Sequence, residues 1–400
     1  MNSPLSVFRN LLAGSLLCAV AAALPAQAEP GVTDAEIRIG MWTPLSGPAA
    51  LLGQSARDGV RVWVKGVNDR GGIQGRKINL IAYDDAASPQ EAQAAVRRLI
   101  DQDEVFMLIS GSGSGSTLPV RQMITAKKVP FVSSISSNIN LMQPFSRYIF
   151  RIYANEDHQG INIMDWMLSK AGVTKPAIIY NSNDYGVGGF KVFEEKLRDV
   201  YKIPMAAAER YNPGDQDFTA QLLRIKGANT DGLLVYAYAA EAGIIVRQAK
   251  ELGITAKVFG GGGSGTPLLQ RGAGEAAIGF VSVHVVPEMA DSSDRPAVVK
   301  YRDQLKAWFY PEAFPPGRPS EYDLAAYMAG KVTEAALEKV GRTPTREAFV
   351  DALETLKDFD TGTTFPVTFS KESHEGTTRV SIIRVNPSLK WELHPDFKQK

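Results

Sequence analysis

Apolar positions along this chain follow two alternating rhythms. Short runs of strand character lie at 37–41, 77–83, 105–109 and 131–132. Between them the apolar residues are spaced for helices. Val60, Trp63, Val64 and Val67 stand at i, i+3, i+4 and i+7, which predicts an amphipathic helix. Asn68-Asp69-Arg70-Gly71-Gly72 ends it, with glycine as the left-handed cap. Ser88-Pro89 opens the next helix, serine as N-cap and proline in the first turn. Its buried face is Ala92, Ala95, Val96, Leu99 and Ile100. The run at 105–109 has no polar interruption, as expected of a central parallel strand covered on both faces.

The pattern then restarts. Strands are expected at 177–180, 232–236, 257–259, 280–286 and 379–385, and helices at 188–200, 217–225, 241–252 and 320–340. Ala242, Ile245, Val246 and Ala249 share one face of the 241–252 helix. Two successive α/β units predict two doubly wound parallel-sheet lobes. The late strand can return to the second lobe, which gives several crossings. The proline-rich stretch 311–319 reads as an ordered surface loop.

The N-terminus changes the picture of where such a fold works. Residues 1–10 carry one cation, Arg9, and 11–24 are apolar before Ala26-Gln27-Ala28. That is the layout of a secretory signal cleaved after Ala28, too short for a transmembrane anchor. The expected location is the periplasm. No later apolar run approaches the ~20 residues that span a bilayer, so the mature chain is expected to be soluble. The remaining chain of about 370 residues favours two domains. With 44 basic and 43 acidic residues there is no long-range field to recruit nucleic acid. Cys18, the only cysteine, lies inside the signal behind Leu17, where a lipidation site needs a small residue; the mature chain has no disulfide. An exported α/β protein has no ATP or reduced nicotinamide pool to draw on. Binding for import or sensing therefore leads over enzymology.

Chemistry concentrates after strand ends. Gly111-Ser112-Gly113-Ser114-Gly115-Ser116-Thr117 separates the buried strand from a helix beginning near Leu118-Pro119. Its glycines let backbone N–H groups approach a ligand, its hydroxyls add donors, and the helix start suits an anion. Ser133-Ser134-Ile135-Ser136-Ser137-Asn138 repeats that arrangement after the next strand. Two such loops at neighbouring strand ends point to a carboxylate site. Gly260 to Gly265 has GxGxxG spacing but lacks the acidic residue about 20 positions on, so it reads as a close-approach loop facing the cleft. His158, His284, His374 and His394 show no zinc spacing, and no nucleophile–base arrangement occurs. Asp84-Asp85 reads as strand-end polar residues. Trp42, Tyr185, Tyr236 and Tyr238 all follow strand ends and predict a pocket with ring walls and hydroxyl tips.

Several stretches carry a resemblance. Residues 39–53 (IGMWTPLSGPAALLG), 67–75 (VNDRGGIQG), Tyr83-Asp84-Asp85, Asn183-Asp184-Tyr185-Gly186 and Asp217-Phe218 are similar, in order and spacing, to leucine/isoleucine/valine-binding proteins. These are the solute-binding components of branched-chain amino-acid ABC importers. The resemblance implies a type I periplasmic-binding fold with three crossovers and the ligand in a hinged cleft. The first lobe is then 29–150 plus 283–378, the second 151–282 plus 379–400. It implies a monomer that meets an ABC permease in the inner membrane and uses no cofactor or metal. Ser114 resembles the serine that holds the ligand carboxylate. Ile135 and Ser137, with Ser136 between them, resemble the second loop. Tyr185 and Tyr238 resemble the aromatics that close over the ligand, and Leu52 stands where some relatives have tyrosine. One position departs: where amino-acid binders carry a glutamate for the ammonium, this chain has Gly262, and Glu275 is the nearest acid in sequence. Without that counter-charge a buried ammonium is unfavourable by several kcal/mol, unless Glu241 or Asp184 reaches the cleft. A ring-bearing carboxylate is the favoured ligand, an amino acid the alternative. A sensing protein that reports to a receptor is the rival role.

Overall fold

Residues 29–47 and 49–398 are described in the computed structural model; the expected signal and its cleavage site lie outside them. The described residues form twelve strands. The first five are β1 (Glu36–Thr43), β2 (Lys77–Asp84), β3 (Met107–Ser112), β4 (Phe131–Ile135) and β5 (Ile149–Arg151). Then come β6 (Pro176–Asn181), β7 (Ala207–Tyr211), β8 (Gly232–Tyr236), β9 (Lys257–Gly260) and β10 (Val281–His284). β11 (Ser381–Val385) and β12 (Trp391–Leu393) close the chain.

The first sheet has the order β2-β1-β3-β4-β5 and is parallel throughout. The second runs β12-β11-β10-β9-β8-β6-β7, parallel except for the pairings of β11 with β10 and β12. Both sheets reverse direction beside their first strand, between β1 and β3 and between β6 and β8. At such a switch point the loops leaving two adjacent strands diverge and open a crevice. Each lobe turns this crevice towards the other.

Burial explains the pattern. β3 is buried at every position, as its unbroken apolar run requires, whereas edge strand β7 alternates until Tyr211. The first sheet packs Ile39, Met41 and Ile109 on one face, and Trp42, Leu108 and Phe131 on the other. Helix Pro89–Asp101 starts as expected, with the Ser88 hydroxyl accepting from the Glu91 amide at 3.3 Å.

Some boundaries differ. The helix expected at 188–200 begins at Asp184, because the Asn183 side chain accepts from the amides of Tyr185 and Gly186, both at 3.1 Å. The helix expected near Leu118 is broken into a short turn at Ser114–Thr117, a 3₁₀ turn at Leu118–Val120 and a helix at Arg121–Ala126. Pro119 has no amide to donate within it. β10 ends at His284, short of the expected 286.

The chain passes between the sheets after β5, after β10 and before β11. Arg151 still belongs to the first sheet, and Val283 and His284 to the second, so both crossings fall later than the expected boundaries after 150 and 282. Helix Glu321–Val340 packs along helix Ala50–Asp69 on the first lobe. At their crossing a Cβ on Gly59 would stand 2.2 Å from the Asp323 carbonyl oxygen. Among the described residues no helix is long and apolar enough to cross a membrane.

Candidate functional site

The two serine loops are fastened to each other before they can hold anything else. Ser110 and Ser134 share a hydroxyl hydrogen bond of 2.7 Å, and so do Thr117 and Ser136. The Gly113 amide donates to the Ile135 carbonyl at 2.6 Å. Gly113 has φ of +86°, a conformation that a residue with a Cβ rarely adopts, and this turns the chain from β3 into Ser114. Arg151, fully buried, supports the second loop from beneath by donating to the carbonyls of Ser137 at 3.2 Å and Asn138 at 2.8 Å. Ser114 and Ser137 remain turned to the cleft. The Ser114 oxygen accepts from the Asn138 amide at 3.3 Å, which leaves its own hydrogen for an acceptor in the cleft.

The second lobe supplies rings. Tyr185 stacks on Tyr238 with centroids 4.9 Å apart and planes 18° apart, and tilts against Tyr236 at 4.6 Å. Its hydroxyl accepts from the Gly263 amide at 2.9 Å, and Tyr322 donates to the Gly263 carbonyl at 3.0 Å. The glycine run is needed for this close fit: a Cβ on Gly261 would meet the Tyr236 ring at 2.7 Å, and one on Gly263 the Tyr185 hydroxyl at 2.8 Å. Burial pushes the Tyr153, Tyr185 and Tyr322 hydroxyls well above their ordinary range, so they stay protonated.

These groups enclose a cavity of about 20 Å³. Leu52, Ser114, Ile135 and Ser137 face Gln159, Tyr185, Tyr238 and Gly263 across it, with Tyr153 and Tyr322 beside the crossings. Among the described residues, none with a charged side chain lines it. Beyond Leu52 and Tyr238 lies an outer chamber of about 450 Å³, with Ser112 and Ser116 on one wall and Asp184 and Glu241 on the other. The Asn138 side chain donates to the Asp184 carbonyl at 2.9 Å across the lobes.

Six of the expected residues therefore meet at one cavity: Leu52, Ser114, Ile135, Ser137, Tyr185 and Tyr238. Four do not line it. Trp42 lies in the core because alternation along β1 sends it to the face opposite Met41. There it packs on Phe131 at 4.9 Å and donates to the Ser116 carbonyl at 3.1 Å. It props the first loop from below. Tyr236 sits behind Tyr185 as the second layer of the ring stack. The Ser136 hydroxyl is taken by Thr117. Gly262 borders the cavity only through its neighbour, since a Cβ there would stand 2.4 Å from Gln159 Oε1.

Neither substitute for the missing glutamate reaches the inner cavity. Both oxygens of Glu241 are occupied, by the Gly214 amide at 2.8 Å and the Tyr211 hydroxyl at 2.9 Å. Asp184 faces the outer chamber. Asp84 staples its loop, accepting from the amides of Leu45 at 2.7 Å and Ala86 at 2.8 Å.

Sequence reasoning missed Tyr153, Gln159 and Tyr322. The first two follow β5, a strand too short to show a period, and Tyr322 opens a helix that reaches the cleft only through a crossing.

Comparisons with known proteins agree with this architecture. A family model described as periplasmic binding protein matches residues 36–390. The Leu/Ile/Val-binding protein BraC3 of Rhizobium johnstonii is 28% identical over 332 residues, covering 82% of this chain and 86% of that protein. Among solved structures, the branched-chain amino acid transporter substrate-binding protein LivJ from Streptococcus pneumoniae, in complex with isoleucine, superposes with a TM-score of 0.77. It is 25% identical and covers 89% of this chain and 98% of its own. A fatty acid ABC transporter substrate-binding protein from Thermomonospora curvata gives a TM-score of 0.79 at 23% identity, covering 91% of this chain and 92% of its own.

Proposed function

The chain belongs to the periplasmic binding protein family, with the type I fold of its Leu/Ile/Val-binding members, and from that premise we propose that its cleft closes on a small carboxylate, with an aromatic acid favoured. The family is one of solute-binding proteins, not enzymes. In this reading the bound form is presented to the permease of a branched-chain-amino-acid-type ABC importer.

One observation carries the ligand class. The inner cavity offers two hydroxyls, Ser114 and Ser137, at the loop that would take an anion, and no carboxylate that would take an ammonium. A buried α-ammonium would forgo its counter-charge there. The ring preference rests on Tyr153, Tyr185, Tyr238 and Tyr322, which supply flat walls in place of the expected Trp42 and Tyr236. A cavity of about 20 Å³ holds no more than a water or two, so any solute requires the lobes to part and close again.

The test is a calorimetric panel of benzoate-type, phenylpropanoid and aliphatic acids set against leucine, isoleucine and valine. Micromolar binding of an aromatic acid with weak or no response to the amino acids is the expected result. Tight binding of leucine or valine with no response to the acids would overturn the reading. For whichever carboxylate binds, Ser114→Ala should weaken affinity by about 1–2 kcal/mol, the worth of one hydrogen bond to a charged group. An unchanged dissociation constant would remove Ser114 from the carboxylate site.

A further inference from the structure

Gln159 is the one cavity-lining side chain that is fully buried, strongly polar and left with an unpartnered atom among the described residues. It is 1% exposed. Its Nε2 donates to the Ala154 carbonyl at 2.6 Å, so the amide cannot be turned round without setting two oxygens against each other. That bond leaves Oε1 as the free end of a cavity-lining side chain, buried and with no hydrogen-bond partner among the described residues. A buried acceptor without a donor is unfavourable by about 1–3 kcal/mol, which the fold tolerates only if something else is gained.

The surroundings show what kind of donor would meet it. Gly262 must remain without a side chain, because a Cβ there would stand 2.4 Å from this oxygen. The position that could otherwise carry a carboxylate is thus filled by a neutral amide. The nearby buried acids do not substitute. Glu321 lies against His284, whose Nε2 is 2.5 Å away, and neither Glu321 nor Glu156 lines the cavity. An amide oxygen can accept from a hydroxyl or an ammonium, but only the hydroxyl can be buried there without an unpaired charge.

We propose that Gln159 is the specificity-determining residue of the second lobe, and that the ligand is a hydroxy-carboxylate whose neutral O–H donates to Oε1 while its carboxylate takes Ser114 and Ser137. The second half of this rests on the carboxylate reading given above. A site that holds a fixed acceptor rejects an analogue lacking the donor, because closure then strands the acceptor.

The experiment is calorimetry on the full mature chain with matched probes. One set is benzoate and its three monohydroxy isomers; the other is 4-methylpentanoate, its 2-hydroxy derivative and leucine, its 2-amino derivative. On the wild-type protein, at least one hydroxy acid should bind roughly tenfold or more tightly than its parent. In Gln159→Met, of similar length and without the acceptor, the hydroxy-to-parent ratio should fall below about threefold, since the hydroxy acid loses its partner and the parent acid no longer strands one. A hydroxy-to-parent ratio below about threefold on the wild type overturns the assignment with no variant needed, even if both acids bind and the carboxylate reading stands. An advantage that survives intact in Gln159→Met overturns it as well. Tight binding of leucine with none of the acids binding overturns both readings together.

Discussion

Arg318→Ala is expected to destabilise the fold by about 3–5 kcal/mol, the range found when one partner of a buried ion pair is removed. The Arg318 side chain is 1% exposed, and its guanidinium lies between two buried carboxylates, 3.0 Å from Asp58 and 2.5 Å from Asp323. Burial alone would push the Asp58 carboxyl up, but Arg318, the Tyr310 hydroxyl and Arg57 outweigh it and hold it below its ordinary value. Removing the guanidinium leaves buried Asp323 without a cationic partner among the described residues and Asp58 with Arg57 and Arg61 alone. Asp58 sits on helix Ala50–Asp69, which carries Leu52, and Asp323 on helix Glu321–Val340, which carries Tyr322. The same change should therefore loosen two walls of the cavity. Urea unfolding measures it as a lower midpoint at unchanged slope. Adding Asp323→Asn to the variant should recover part of the loss, since the charge left without a cation is gone. A shift worth less than about 1 kcal/mol would mean the network contributes little.

How far the site could be read from the sequence depended on how each residue reaches it. Ser114, Ser137, Tyr185 and Tyr238 stand directly after strands whose apolar runs are unmistakable, and a strand end at a switch point is a place in space as well as in sequence. Trp42, expected just after such a strand, lies within it because β1 runs on to Thr43, and one residue of pleat sends its ring into the core. Position along a strand is legible; the face a terminal residue takes depends on the neighbours below it, here Phe131 and Leu108. Gln159, Tyr153 and Tyr322 meet only because the chain crosses between lobes, and no local period encodes a crossing. The two-lobe fold itself was legible because each lobe repeats the same strand–helix alternation. The short edge strands β5, β7 and β12 were not: β5 is buried throughout but only three residues long, and the three to five residues of β12 and β7 have mixed exposure and carry little pattern.

Glu156→Gln should change how stability depends on pH. Glu156 opens the helix Glu156–Asp165 immediately after the first crossing, and its amide donates to the Ser137 carbonyl at 2.9 Å. Its side chain is buried where the lobes meet: a Cβ on Gly188 would stand 2.2 Å from Glu156 Oε2 and 2.7 Å from Asn138 Nδ2. Burial raises the carboxyl to about 8, and Arg151 and Ser137 offset this only in part, while Asp157 and Asp184 add to it. Arg151 is the largest offset but does not cancel the burial, and its guanidinium is also committed to Glu375 at 2.7 Å and to the loop carbonyls. The sign follows from the two states. In the unfolded chain the group ionises near 4.5, whereas in the folded protein it holds its proton until about 8. Its contribution to stability is therefore full below pH 4.5 and is lost as pH rises through 8, by roughly 3–6 kcal/mol. Asp85, raised by burial to about 6, acts in the same direction, and His158, His374 and His394, lowered by burial, act in the opposite one. The comparison with Glu156→Gln isolates the single group, because glutamine keeps the shape and never ionises. Urea midpoints at pH 5 and pH 8.5 should fall in the wild type by clearly more than in the variant, and the variant should be the more stable at pH 8.5. Equal falls in the two proteins would mean that Glu156 is ionised in the fold, with Arg151 as its effective partner.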